Sequence, residues 1–288
     1  MFDRILVPVD GSEASDRAVR YALALADDDT TVRALAVVDR SAVPERSRDS
    51  DLGDRIEASV REAAQSALDE ATEACDDAGV AATGAIAVGH PTEEIVEDAS
   101  ANEVDLVVIG AHARGRLARF LRRSVARQVA QHSTMPVLIV RADGPDVDRG
   151  IRRILLATDG SESAQHARDY AFGLAAAHDA TVYGLYVVDS RFGSTGALHA
   201  VLEQQGEAIG DALRARGAQD GVDVAPETRE GEPERTILEF ADEQDVDLIV
   251  VGTHGRTGLD RFVMGSVATA VVRGASRPVL TVRTPARE

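Results

Sequence analysis

The sequence predicts an α/β protein of two tandem doubly wound (Rossmann-like) domains, each a five-stranded parallel sheet flanked by helices. Two observations carry this prediction. One long stretch of sequence is written twice, and within each copy short β-branched runs alternate with longer, alanine-rich amphipathic stretches. The strand runs are almost continuously apolar, which is typical of parallel strands covered by helices on both faces. A sheet of this kind binds ligands beyond the carboxyl ends of its strands.

The repeat is visible near the start and near the end of each copy. The segment Arg4-Ile-Leu-Val-Pro-Val-Asp10-Gly-Ser-Glu returns as Arg153-Ile-Leu-Leu-Ala-Thr-Asp159-Gly-Ser-Glu. Later, Val104-Asp-Leu-Val-Val-Ile-Gly110 returns as Val246-Asp-Leu-Ile-Val-Val-Gly252. We therefore predict a first domain over residues 1–142, a linker rich in turn formers and charge over 143–150, and a second domain over 151–288.

The elements of the second copy follow from its apolar periodicity. Its predicted strands are Arg153–Thr158, Thr181–Val188, Val222–Thr228, Asp247–Gly252 and Pro278–Val282. Its predicted helices are Ser163–His178, Ala197–Arg216, Glu234–Glu243 and Ser266–Ala275. This alternation of strand and helix is the pattern of a parallel, doubly wound sheet.

Composition excludes several classes of protein. The formal charge is -18, and all 31 basic residues are arginine because the chain contains no lysine. A GxxxxGK[ST] phosphate loop needs a lysine, so that class of NTPase is excluded. Strong acidity argues against general nucleic-acid binding, which requires a basic face. It is typical of halophilic proteins, whose dense carboxylates stay hydrated while salt screens their repulsion.

The sequence also predicts the cellular compartment. No apolar run approaches the length of a membrane span, and the N-terminus enters a strand without the pattern of a secretory signal. A single cysteine, Cys75, excludes an intramolecular disulfide and a multi-cysteine metal site. We expect a cytoplasmic protein without a metal centre of its own.

A glycine-bearing loop follows the fourth predicted strand of the second copy. It reads Gly252-Thr-His-Gly255, then nine residues, then Gly265-Ser266, where a helix is predicted to begin. Gly252 and Gly255 allow backbone geometry or close approach that a Cβ would forbid. Gly265 and Ser266 place backbone N–H groups, a hydroxyl and the positive end of a helix where an anion can dock. We favour a phosphate-binding loop over the alternative that these residues only turn the chain and cap the helix.

Two further side chains are expected beside this loop. Asp159 ends the first strand of the second copy where the strand order reverses, and its carboxylate can accept hydrogen bonds from ribose hydroxyls or a base edge. The structural alternative is that Asp159 caps the following helix. His254 either contacts a phosphate or braces the loop, and both roles stay open; the repeated His112 favours bracing.

These residues resemble the universal stress protein (UspA) domain, whose ATP-binding members carry the pattern G-x2-G-x9-G-[ST] after the fourth strand. The resemblance covers nearly the whole chain, including the strand-one aspartate and the final Pro-Val-Leu strand of each copy. It implies an adenine nucleotide, ATP with or without Mg²⁺, held by Asp159 and by backbone near Ala157 and Val187. It places the phosphates on Gly255, Arg256, Gly265, Ser266 and Val267. The glycine-bearing loop itself adds Gly252 and His254 to the predicted binding residues. The family also pairs domains through the last strand, which implies such a pair within this chain, or a homodimer of chains.

The first copy departs from the pattern at two of its four positions. It reads Gly110-Ala-His-Ala113, then nine residues, then Arg123-Ser124. Ala113 restricts the turn, and Arg123 places a long side chain where the backbone should approach a phosphate. We predict a degenerate site that binds nucleotide weakly or not at all, formed by Asp10, Val37, Gly110 and Ser124. The opposite outcome stays open because arginine is a good phosphate ligand.

An arginine cluster stands in the same loop of the first copy. Its members are Arg114, Arg116, Arg119, Arg122, Arg123 and Arg127. The cluster suggests a surface for an anion or an acidic partner. A solvated helix face that balances nearby acids is the favoured alternative.

The leading hypothesis for function is a stress-response regulator in which ATP occupancy of the second domain changes contacts with an unknown protein partner. We assign no catalytic residue, because no side chain is a clear general base for an attacking water. The alternatives are a slow ATPase and an interaction protein with both sites empty. Adenylate-forming enzymes of similar fold carry an SGGxDS loop or a HIGH-type motif, and neither is present.

Overall fold

The structure, a computed structural model, describes residues 1–39, 51–111, 124–145, 147–192, 196–254 and 264–284. The chain divides into two compact units, Phe2–Asp143 and Gly144–Glu288. The division falls at the start of the segment predicted as the linker. Each unit is an α/β domain with one parallel sheet, so the predicted fold class is confirmed.

The first domain contains five strands and four helices among its described residues. The strands are β1 (Arg4–Val9), β2 (Thr31–Asp39), β3 (Ala81–Gly89), β4 (Leu106–Ala111) and β5 (Val137–Arg141). The helices are α1 (Glu13–Leu25), α2 (Asp51–Asp77), α3 (Pro91–Ala101) and α4 (Val125–His132). The strand order is β3-β2-β1-β4-β5, and every pairing is parallel.

The second domain repeats this arrangement. Its strands are β6 (Arg153–Ala157), β7 (Thr181–Asp189), β8 (Val224–Gly231), β9 (Leu248–Gly252) and β10 (Val279–Val282). Its helices are α5 (Glu162–His178), α6 (Ala197–Asp220), α7 (Pro233–Glu243) and α8 (Ser266–Gly274). The strand order is β8-β7-β6-β9-β10, again with parallel pairings throughout.

All nine elements predicted for the second copy are present, and the third strand shows the largest shift at its start. It begins at Val224 rather than Val222, because the Val222 N–H donates to the Gly217 carbonyl at 2.9 Å and still belongs to the turn that ends α6. Gly221 in that turn has a left-handed backbone (φ 70°), the usual conformation of a glycine that ends a helix. The helix therefore extends past the predicted end at Arg216.

The strand order places helices on both faces of each sheet. In the second domain the chain moves outward from β6 through β7 to β8, and then from β9 to β10 on the other side. Right-handed crossovers place α5 and α6 on one face and α7 and α8 on the other, and each of these helix pairs is in contact. The direction reverses between β6 and β9, which is the switch point where such sheets bind ligands.

Apolar side chains of the central strands form the core of each domain. Ile154, Leu155 and Leu156 of β6 are fully buried, as the continuous apolar run predicts. The lone Cys75 is buried in α2, and burial raises the pKa of its thiol. Within the described ranges, no helix combines the length and apolar content of a membrane span.

The repeated Val-Asp-Leu motif joins two central strands at their amino ends. The Asp247 carboxylate accepts hydrogen bonds from the backbone N–H groups of Arg152 and Arg153, both at 2.9 Å. Asp105 makes the matching bonds in the first domain, at 2.9 and 2.8 Å. The motif recurs because this aspartate connects the start of the fourth strand to the start of the first.

Candidate functional site

A cavity of about 490 Å³ lies at the carboxyl ends of β6, β7 and β9 in the second domain, around the switch point. Its volume is within the range of small-molecule sites. Eight of the ten predicted binding residues line it: Ala157, Asp159, Val187, Gly252, His254, Gly265, Ser266 and Val267. The other two, Gly255 and Arg256, lie outside the described residues. Parallel strands bring these distant segments together because all their carboxyl ends meet at one edge of the sheet.

Asp159 occupies a tight turn between β6 and α5. Its Oδ1 accepts the backbone N–H of Ser161 at 2.9 Å, across Gly160, whose left-handed backbone (φ 77°) suits glycine. Ser161, rather than Asp159, caps the helix, because its Oγ accepts the Ala164 N–H at 3.2 Å. The capping alternative for Asp159 is therefore wrong in detail. Asp159 shapes the turn through one oxygen and lines the cavity.

The N-terminus of α8 opens on the cavity without a side-chain cap. Gly265 is the N-cap residue and carries no side chain that could satisfy the first turn. Its own N–H donates to the Thr253 carbonyl at 2.7 Å, which corrects the expectation that this amide points to an anion. Helix geometry gives the N–H groups of Ser266, Val267 and Ala268 no acceptor within α8, so they can donate to an anion at its positive end.

His254 is fixed by hydrogen bonds on three sides. Its N–H donates to Ser163 Oγ at 3.2 Å, and its carbonyl accepts the Ser161 hydroxyl at 3.4 Å. Its Nδ1 lies 2.8 Å from Oγ1 of the buried Thr253. These bonds hold the start of the loop against the N-terminus of α5. The bracing role is thus present in the structure, and His254 also lines the cavity.

Gly252 is required by packing between β9 and α5. A Cβ at this position would lie 2.8 Å from the Ser163 carbonyl carbon and 3.0 Å from the Ala164 nitrogen, closer than real side chains approach. The repeated Gly110 has the same role, since a Cβ there would lie 2.5 Å from the backbone of Ala14. This contact explains why the first copy keeps this glycine although its later motif positions differ.

Several lining residues were not predicted from the sequence. Among them are Leu202 of α6, Pro233 and Ile237 of α7, Asp189 at the end of β7 and Arg191 in the turn that follows it. No sequence motif distinguishes the apolar lining residues from residues of the core. The repeated Val-Val-Asp ending of the second strand was the available signal for Asp189.

Asp189 and Arg191 form a close ion pair at the edge of the cavity. Arg191 Nη2 lies 2.6 Å from Asp189 Oδ2, and Arg191 Nε lies 2.9 Å from Oδ1. The side chain of Asp189 is 13% exposed and that of Arg191 is 56% exposed. Hydrogen bonds from Arg191 hold the pKa of Asp189 below its usual range.

The first domain places its described motif residues at the equivalent strand ends. Asp10 accepts the Ser12 N–H at 3.0 Å, as Asp159 does for Ser161. Val37 lies in β2, Gly110 lies in β4, and Ser124 is the N-cap of α4, without a side-chain hydrogen bond. Ala113, Arg123 and His112 lie outside the described residues, as do all members of the arginine cluster except Arg127.

The described part of the chain contains no group of three or more His, Cys, Asp or Glu side chains arranged to hold a metal ion. A magnesium ion that accompanies a nucleotide is bound largely by phosphates and water, with one or two carboxylates. Asp159 lies just before α5 and lines the cavity, so its carboxylate could contribute to such a site. It fits such an ion only together with bound phosphates.

Comparison with known proteins agrees with this architecture. The sequence model of the Universal stress protein family matches residues 1–141 and 150–283. A universal stress protein of Mycolicibacterium smegmatis is 30% identical over 296 residues, covering 97% of this chain and 96% of that protein. One of Methanocaldococcus jannaschii is 38% identical over 144 residues, covering 48% of this chain and 85% of that protein.

A solved structure shows the same fold over nearly the whole chain. The crystal structure of a universal stress protein from Archaeoglobus fulgidus superimposes with a TM-score of 0.72 at 22% identity, covering 98% of both chains. The family match extends over both domains, and the tandem arrangement is shared with relatives of the same length. The chain therefore belongs to the universal stress protein family.

Proposed function

We propose that the second domain binds an adenine nucleotide, ATP, and that its occupancy regulates contacts with a protein partner in a stress response. One observation carries the proposal: the uncapped N-terminus of α8 and the Asp159 carboxylate line the same cavity. The α8 amides suit phosphates, and the carboxylate suits ribose hydroxyls. Apolar residues of β7 and α7 suit a base.

A regulator fits the site better than a catalyst. Three polar side chains that line the cavity are engaged with the protein: Thr158 Oγ1 accepts the Gly160 N–H, Asp159 accepts the Ser161 N–H, and Asp189 binds Arg191. A general base for hydrolysis must instead face an attacking water. We propose that any ATP hydrolysis is slow.

The proposal is tested by calorimetric titration of ATP into the wild type and the Gly265→Arg variant in molar potassium chloride. This substitution gives the second domain the residue that the first domain carries at Arg123. The expected result is one site per chain, with affinity lowered by at least about tenfold in the variant, because a long side chain covers the anion donors of α8.

Ala218→Arg is the matched control, since it adds the same charge at an exposed position of α6. It should leave the affinity unchanged. ADP, AMP and GTP are titrated in parallel to define the ligand. Absence of heat in the wild type, together with absence of co-purifying nucleotide, would refute the proposal in favour of an interaction protein with both sites empty.

A further inference from the structure

The ion pair of Asp189 and Arg191 lies at the end of the cavity that is remote from α8. Asp189 ends β7, whereas α8 follows β9, and β6 lies between these two strands. Neighbouring strands are about 4.8 Å apart, so the two strand ends are separated by roughly 10 Å. That separation suits a nucleotide whose phosphates meet α8 and whose base reaches β7.

The surroundings of Arg191 favour a base over a phosphate. Val187 precedes Asp189 on β7, and Asp189 pairs with Gly231, two residues before Pro233. The apolar side chains of Val187, Leu202 and Pro233 all line the cavity. The guanidinium is neutralised by Asp189, and Glu232 and Glu234 add further negative charge near it. A phosphate would meet net negative charge here, whereas an uncharged ring would meet apolar walls and a planar cation.

The geometry of the pair fixes the orientation of the guanidinium plane. Nε and Nη2 of Arg191 bind the two oxygens of Asp189, and the Arg191 backbone N–H donates to Oδ1 at 2.9 Å. A bidentate arginine loses little freedom when a ring stacks on it, because its plane is already held. Asp189 is mostly buried and so forms the fixed side of the pair.

We infer that Arg191 is a specificity residue that stacks on the base of the bound nucleotide and favours purines over pyrimidines, with Asp189 as its positioning residue. This inference rests on the proposed function and identifies the element that selects the base. A purine offers a larger ring surface to the guanidinium than a pyrimidine does, and the contact is of the cation–π type. Neither residue belongs to the glycine motif on which the sequence prediction depends.

The test compares ATP, CTP and ribose 5-triphosphate, which lacks a base, by calorimetry with the wild type and Arg191→Ala. We expect the variant to bind ATP about 2- to 5-fold more weakly, in keeping with an exposed cation–π contact. The affinity for CTP should fall less, and that for ribose 5-triphosphate should stay the same. Arg191→Lys keeps the charge but lacks the planar group, so it should resemble Arg191→Ala.

Asp189→Ala should also lower the ratio of ATP affinity to CTP affinity. The double variant should bind ATP no more weakly than Arg191→Ala alone. A merely structural role would not change this ratio. Arg216→Ala is the matched control, because Arg216 pairs with Asp220 on the exposed face of α6. Thermal unfolding of each variant establishes that it is folded.

The inference is overturned if ATP binds Arg191→Ala as tightly as the wild type. It is also overturned if Arg191→Ala loses as much affinity for ribose 5-triphosphate as for ATP, because Arg191 would then be a phosphate contact. Absence of nucleotide binding by the wild type would instead refute the proposed function, and this inference with it.

Discussion

Arg33 and Asp98 form a bidentate ion pair between β2 and α3 at the position where the second domain packs Tyr183 against Phe240. Nε and Nη2 of Arg33 each lie 2.7 Å from an oxygen of Asp98, and the two side chains are 24% and 14% exposed. In the second domain the ring centroids are 6.0 Å apart in an edge-to-face arrangement. The two copies thus join the same strand and helix by different chemistry.

Asp98→Ala should destabilise the first domain. The substitution leaves the Arg33 guanidinium in a partly dry site without its carboxylate, and we expect the free energy of unfolding to fall by about 1–3 kcal/mol. Urea unfolding measures the loss, and hydrogen exchange assigns it to the first domain. Glu57→Ala removes an exposed partner of Arg61 and should cost less than about 0.5 kcal/mol. Equal losses in the two variants would contradict this account.

Replacing the pair by the rings of the second domain should restore stability. The double variant Arg33→Tyr with Asp98→Phe should unfold at a urea concentration equal to or above that of the wild type. Packed apolar residues often match or exceed a buried ion pair, because they need no desolvation of charge. A double variant as unstable as Asp98→Ala would show that β2 and α3 of the first domain cannot accommodate the rings.

Asp247→Ala should destabilise the second domain through the backbone. The Asp247 carboxylate accepts two backbone N–H groups at the start of β6, and its loss leaves both without that acceptor. We expect a loss of about 1–2 kcal/mol in urea unfolding, since hydrogen bonds to a charged group are the stronger kind. Asp211→Ala removes an exposed carboxylate of α6 and should change stability little. A similar loss in both variants would argue against a specific role for the motif aspartate.

The half-buried side chain of His178 should cause the free energy of unfolding to fall on mild acidification. Burial lowers the pKa of His178 below its ordinary value, so the unfolded chain binds a proton at a pH where the folded chain does not. The neutral His178 side chain makes its full contribution to the free energy of unfolding above about pH 6.5, and this contribution is lost as the pH falls toward the pKa in the folded state. Urea unfolding measures the free energy of unfolding at about pH 7.5 and pH 5.5. Between these two values it should decrease less for His178→Gln than for the wild type. His166→Gln, on the exposed face of α5, should decrease like the wild type; an equal decrease for His178→Gln would refute the prediction.

Much of this fold could be predicted because each element has its own local pattern. The apolar runs of β6, β7 and β9 specify buried parallel strands, and parallel strands have their carboxyl ends at one edge. That rule alone places Asp159, Val187 and Ser266 around one cavity, although they are far apart in sequence. The alternative that Asp159 caps α5 was wrong because Asp and Ser are both good N-cap residues, and only the backbone path decides which of them reaches the helix.

Other parts of the site depend on packing that has no local pattern. Leu202 and Ile237 have no sequence pattern that distinguishes them from core residues, and they line the cavity because α6 and α7 begin near the carboxyl ends of the strands. The Thr253 carbonyl accepts the Gly265 N–H, and any residue type could supply that carbonyl. Residue identity carries no information about such a bond, so the sequence could not indicate it.

Ser163→Ala should weaken nucleotide binding more than it affects folding. Ser163 Oγ accepts the His254 N–H at 3.2 Å and so anchors the start of the proposed binding loop. We expect a loss of about 2- to 5-fold in ATP affinity, in keeping with one neutral hydrogen bond. Ser15→Ala removes a comparable buried hydroxyl from α1 and should leave ATP affinity unchanged. Unchanged affinity for Ser163→Ala would show that the loop keeps its position without this bond.

Restoring the first site should require more than its missing glycines. Ala113→Gly with Arg123→Gly completes the motif, and the turn at Asp10 and the packing at Gly110 are already present. However, the first domain has Ala14 and Ala111 where the second has Ser163 and Thr253, whose hydroxyls hold His254.

In the Gly265→Arg background, the glycine pair alone should therefore give a site about tenfold weaker than the wild-type site, since two hydrogen bonds are missing. Adding Ala14→Ser and Ala111→Thr should recover most of that difference, as measured by calorimetric stoichiometry and affinity. Full recovery by the glycines alone would show that the motif itself, and not its anchoring to the N-terminus of the first helix, determines the site.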